Sequence, residues 1–203
     1  MHAGRLSYYL GGGRPAGGLR TYPGCRDPRA PERALPVMLP GRLYFACESQ
    51  AWTGGMAFYD PEAPGETAAR AYLLEVSQFC DIAAQEMYRE TGEDLDIGPA
   101  LANGRAQLGP GRYETLVCPG QLEGLPVLTF TAPWRMDQVE WNAPSPRYLR
   151  YLASGLAEGH GWGTSETADY LARCPGIAGR ISGSGLVALL KDEGGFSDPA
   201  VLR

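Results

Sequence analysis

Glu86 is the carboxylate whose position best suits acid–base chemistry. Phe79, Ile82, Ala83, Glu86 and Met87 recur at helical spacing, which puts Glu86 on or beside the stripe that should face the interior. A buried carboxylate is costly unless it is paired or used. Desolvation would raise its pKa toward neutrality, as a general base requires. The same spacing also admits an exposed glutamate paired with Arg89 at i+3, and periodicity weighs the two alike. The second candidate is the stretch Ser49-Gln50-Ala51-Trp52-Thr53-Gly54-Gly55, between two apolar runs. It reads either as a wide hairpin turn or as a loop whose glycines let backbone N–H groups approach a ligand carboxylate or a developing oxyanion.

Other chemistries find little footing. His2 and His160 are the only histidines, so a zinc site would need ligands gathered from distant positions, and no metal or cofactor is expected. His160 sits in a Gly-His-Gly helix end and reads as a capping residue. A histone deacetylase is disfavoured because zinc deacetylases need His and Asp ligands plus a histidine pair. Gly183-Ser184-Gly185 lacks the full nucleophile-elbow pattern, and no histidine follows it. There is no phosphate-binding P-loop, and the glycines of 11–18 are not in a strand-to-helix frame. Cys25, Cys47, Cys80, Cys118 and Cys174 are odd in number and never in a C-x-x-C pair, so reduced structural thiols are expected.

The elements that must position Glu86 and the glycine loop follow from turns and caps. Apolar and aromatic runs at 37–39, 43–46 and 56–59 read as successive strands, and a fourth extended segment at 68–76 leads into a helix from the N-cap Ser77 to about Arg89. A weaker helix is expected from Glu93 to about Ala106. Strands resume at 113–117 and 126–131, with Glu123-Gly124 as a hairpin turn. Ser145-Pro146 opens a helix that ends at Gly159 and Gly161, followed by helices over 164–171 and 182–191 and a loose tail after Gly194. A loop is expected at 11–18. This is an α+β chain, with a small mixed β-barrel or twisted antiparallel sheet and flanking helices. With 203 residues, one domain over 1–175 and a helical tail over 176–203 are expected. A net charge of -5 gives no basis for gripping nucleic acid or an anionic membrane. The lack of an 18-residue apolar run or a signal peptide suggests a cytoplasmic protein, and the scarcity of lysine suggests a GC-rich bacterial genome.

Three short motifs occur in order: Ser49-Gln50-Ala51-Trp52-Thr53-Gly54-Gly55-Met56-Ala57, then Gln85-Glu86 on a helix with Tyr113-Glu114-Thr115-Leu116-Val117 beyond it, then Asn142-Ala143-Pro144-Ser145-Pro146-Arg147-Tyr148-Leu149 with Gly155-Leu156-Ala157-Glu158. Together they resemble the gamma-glutamylcyclotransferase family over most of residues 35–160. The resemblance implies a small mixed β-barrel that converts a γ-glutamyl amide to 5-oxoproline without a cofactor. It implies Glu86 as general acid/base, and Trp52, Thr53, Gly54, Gly55 and Tyr113 shaping the pocket for a small γ-glutamyl substrate. The family's first strand and Y-G-S-N loop have no counterpart, and residues 1–6 look like those that follow that loop. A start site assigned too late is therefore expected in preference to a shortened, inactive relative. The competing expectation is a non-catalytic ligand-binding or interaction module on the same fold. Residues 91–111 are expected to cover the pocket, and monomer and homodimer both stay open.

Overall fold

Caps and turns divide the chain where their chemistry requires. The structure is a computed structural model that describes residues 2–15 and 20–192. The expected loose tail after Gly194 and residues 16–18 of the 11–18 loop lie outside the described residues. Helix α1 (Ala3–Gly11) is followed by strands β1 (Ala34–Pro40), β2 (Arg42–Ala46), β3 (Met56–Asp60) and β4 (Glu66–Tyr72). Then come α2 (Val76–Glu86), α3 (Gly98–Asn103), β5 (Arg105–Gln107), β6 (Thr115–Leu122) and β7 (Leu125–Thr131). Helices α4 (Pro146–His160), α5 (Thr164–Leu171) and α6 (Gly183–Lys191) complete the described chain.

The strands form three antiparallel sheets, β1–β4, β2–β3 and β5–β6–β7. The chain is α+β as expected, and none of the sheets closes into a barrel among the described residues. Between β1–β4 and β7 lies an apolar groove of about 470 Å³, walled by side chains that include Val37, Leu74, Phe79, Ile97, Val127 and Phe130. The β6–β7 hairpin turns at Glu123 and Gly124, both with positive φ (51° and 80°), the primed turn that matches strand twist. Strand β6 begins at Thr115, so Tyr113 sits in the preceding turn. That turn is held by Glu114, which accepts from Gly111 N–H at 2.7 Å and from Arg89 at 2.6 Å.

Two helix boundaries depart from the sequence reading. α2 starts one residue before Ser77, because Gln78 reaches back to accept the Glu75 N–H at 3.0 Å. It stops at Glu86, because Tyr88 turns left-handed at φ 58° and Arg89 N–H closes onto Ala84 O at 2.9 Å. The expected weak helix over 93–106 contracts to α3 and then gives way to β5, which pairs with β6. Residues 91–111 touch the core at Ala100, which is fully buried beside Ala83, Met87 and Leu116, while most of the segment stays exposed. Ile97 and Leu101 line the groove.

The largest core cluster packs Phe45 of β2 and Ala68 of β4 against Leu149 and Leu156 of α4, Leu171 of α5 and Leu186 of α6. Ser145 caps α4 by accepting from Tyr148 N–H at 3.3 Å, and Ser182 caps α6 by accepting from Gly185 N–H at 3.1 Å. His160 closes α4 with its Nε2 2.8 Å from Ala69 O, followed by left-handed Gly161. α6, within the segment expected as a helical tail, buries Leu186 in this same core.

Candidate functional site

Glu86 ends α2 with its side chain 17% exposed. Burial pushes its pKa up, with Arg5 partly opposing that rise. Its place at a helix C-terminus adds to the cost of a negative charge. Arg89, the alternative partner by spacing, is turned to Glu114 and Leu108 O instead. Glu86 meets Arg5 of α1, with Nη2 3.6 Å from Oε1, longer than a hydrogen bond. Arg5 donates instead to the Tyr9 hydroxyl at 3.1 Å and lies over the Tyr9 ring at 5.7 Å.

Around this pair stands a shell of tyrosines. Glu86 and Arg5 both act electrostatically on Tyr113 and Tyr148, and burial pushes both phenols up, so each stays protonated near neutral pH. The Tyr113 hydroxyl reaches Ala57 O at 3.5 Å, and the Tyr148 hydroxyl meets the backbone of the same residue. Tyr113 also stacks on Phe58 at 5.4 Å and meets Phe130 edge-on at 6.2 Å.

Trp52 joins the shell from the other side. Its ring lies 5.0 Å from Tyr148 and 5.2 Å from Tyr151, and Arg147 lies over it at 5.3 Å. Two segments nearly a hundred residues apart in sequence thereby share one aromatic stack. The glycines of the loop make the approach: a Cβ on Gly55 would stand 2.0 Å from Asn142 O, and one on Gly54 2.7 Å from Ala143 O. Their N–H groups are occupied within the protein, Gly54 by Glu48 Oε1 at 2.7 Å and Gly55 by Ala143 O at 2.8 Å. Neither is directed at a ligand, and the loop is the connection of the β2–β3 hairpin. Thr53 donates to the neighbouring Trp52 O and faces solvent.

Of the residues singled out by sequence, Glu86 and Tyr113 share one environment, Trp52 reaches it through Tyr148, Gly54 and Gly55 support the loop, and Thr53 stays outside. Sequence reasoning missed Arg5, Tyr9 and Tyr151. Arg5 and Tyr9 lie at i and i+4, and Tyr148 and Tyr151 at i and i+3, spacings that align them on helix faces once the helices are known.

α1 is fixed in place by a second carboxylate. Glu158 accepts the Ala3 N–H at 3.3 Å and Arg70 Nη1 at 2.5 Å, and His2 Nδ1 lies 3.6 Å away. Although burial works against the charge, Arg70 and the Ala3 N–H hold the Glu158 carboxyl below its usual range. Among the described residues no three His, Cys, Asp or Glu side chains converge as a metal-ligand set, and no helix is long and apolar enough to cross a membrane. Comparison with protein-family models, with curated proteins and with solved structures found no match for this chain.

Proposed function

We propose that this chain is a gamma-glutamylcyclotransferase-like enzyme that cyclises a γ-glutamyl amide to 5-oxoproline and releases an amine or amino acid, with Glu86 as general acid/base. The observation that carries this reading is Glu86 itself: a shielded carboxylate at a helix end, raised in pKa, among Tyr113, Tyr148 and a single loosely held cation. The meeting of the Trp52 loop with Tyr148 supports it, because the two segments that carry the family resemblance then join one aromatic cluster.

The nucleophile in this reaction is the substrate's own α-amine, already tethered to its target, so the protein mainly orients it and moves protons. Glu86 takes a proton from the α-ammonium. The freed nitrogen attacks the γ-carbonyl carbon, closing a five-membered ring and placing negative charge on the oxygen. Glu86 returns its proton to the departing nitrogen as the original amide C–N bond breaks and the carbonyl re-forms; the carboxylate so regenerated takes the second proton from the ring nitrogen, leaving the neutral lactam, and gives it up with the departing amine. Protonated Tyr113 is available as an O–H donor to the oxyanion. This sequence of steps calls for no cofactor.

A second reading is a ligand-binding module on the same scaffold. It is favoured by one observation, that the N–H groups of Gly54 and Gly55 are spent inside the protein. The two part on 5-oxoproline release from a panel of γ-glutamyl amino acids and γ-glutamyl amines. Release that disappears in Glu86→Gln is expected of the enzyme, and no release from any member of the panel overturns it.

A further inference from the structure

Arg5 and Glu86 are an ill-matched ion pair. Elsewhere in the molecule arginine–carboxylate pairs close to hydrogen-bonding distance: Arg26–Asp94 and Arg89–Glu114 at 2.6 Å, Arg33–Glu123 and Arg70–Glu158 at 2.5 Å. Arg5 and Glu86 stand 3.6 Å apart, and their side chains are 39% and 17% exposed, so the carboxylate is the more shielded of the two. Arg5 Nη2 donates to the Tyr9 hydroxyl at 3.1 Å instead of to Glu86. A guanidinium carries five N–H groups and suits a carboxylate offered two oxygens at once. A positive and a negative group side by side, neither saturating the other, complement a ligand with the opposite arrangement. An α-amino acid head has that arrangement, with an ammonium and a carboxylate on one carbon.

We infer that the Arg5–Glu86 pair is a receptor for the zwitterionic head of an α-amino acid, Arg5 taking the α-carboxylate and Glu86 the α-ammonium. Arg5 is then the residue that orients a γ-glutamyl group, and it makes the site selective for substrates with a free amino acid head. The inference deepens the proposed function and rests on the same site, but it concerns recognition and holds or fails without turnover.

Three probes isolate the two charges: L-glutamine, 4-aminobutyramide, which is glutamine without its carboxylate, and glutaramic acid, which is glutamine without its amine. Binding is read by calorimetry and by quenching of tryptophan emission, since Trp52 stacks on Tyr148 and Tyr151 next to the pair. L-Glutamine is expected to bind at least about tenfold more tightly than either truncated probe, the scale of one charge-assisted hydrogen bond. Arg5→Gln should erase the preference over 4-aminobutyramide and keep that over glutaramic acid, Glu86→Gln should do the reverse, and Arg5→Lys should restore part of the loss. Equal binding of all three probes by the wild-type protein, or binding of none, overturns the inference, and does so even where a variant fails to fold. Discrimination without 5-oxoproline release would uphold the receptor and sink the cyclotransferase. Release without discrimination would do the opposite.

Discussion

α2 carries two shielded carboxylates that meet opposite treatment. Asp81, fully buried, is saturated: Arg26 gives it a backbone N–H at 2.8 Å and its Nε at 3.1 Å, and Gly92 N–H adds a third donor at 3.1 Å. Burial works against its charge, and these donors outweigh it and hold the carboxyl below the usual range. Glu86, little more than one turn on, has a single cation beyond hydrogen-bonding distance, and its pKa is pushed up. Asp81 ties the segment at 26 and the turn at 92 to the helix, whereas Glu86 is left with capacity to exchange a proton. Full satisfaction marks a structural carboxylate, and partial satisfaction in a shielded aromatic setting marks one free to do chemistry.

Substitution of each α2 carboxylate tests that contrast, and the largest effect is expected at Glu86. Glu86→Gln should lower 5-oxoproline release by about a thousandfold, the middle of the range for a lost general acid/base, without loss of the folded state by circular dichroism. Asp81→Asn should behave oppositely, costing about 3 kcal/mol of stability in urea titration because it unbalances a buried charge network. A thousandfold loss of release in Asp81→Asn at full stability would erase the distinction. Glu158→Ala should cost about 1 kcal/mol through loss of the α1 anchor, and its effect on release should exceed its effect on stability because Arg5 loses its placement.

The smallest expected effect is in pH dependence, where the two carboxylates have opposite signs. The Asp81 pKa is depressed on folding, so its stabilisation is present above the usual value near 3.8 and is lost as pH falls through the folded value. The Glu86 pKa is raised, so the folded state is favoured below the usual value near 4.5 and that advantage is lost as pH rises through the folded value. Glu86→Gln should therefore gain stability relative to wild type between pH 5 and pH 8 and match it at pH 4. Thermal melts across that range measure the difference, and a constant gap would mean that Glu86 is not shielded.

What the sequence disclosed was local. Ser145-Pro146 marked α4, Glu123-Gly124 marked the hairpin, and the spacing around Ile82 put Glu86 on or beside the interior stripe without deciding between a shielded and an Arg89-paired side chain, because each signal acts within one helical turn or one hairpin. What it concealed was long-range. α1 carries no side-chain cap of its own, and its first N–H is satisfied by Glu158. No local pattern announced that helix, so Arg5 and Tyr9 went unread. The end of α2 was hidden for a related reason: Tyr88 takes a left-handed conformation where glycine is usual, while Thr91-Gly92 a few residues on carried the expected stop signal. The closure of the sheets was beyond periodicity altogether, since alternation specifies which face is buried but not whether two edges meet.

The tether between Ala3 and Glu158 spans 155 positions of the chain. A contact of that span forms only after α4 exists and has packed, since loop-closure entropy must be met before the bond rewards it. The tether therefore couples the placement of Arg5 to α4, while Tyr9 and Leu10 of α1 pack on Ile82 of α2. Unlike Asp81, whose donors from 26 and 92 lie outside α1, Glu86 meets its cation only where α1 is docked, so the site is whole only when both ends of that long tether are in place.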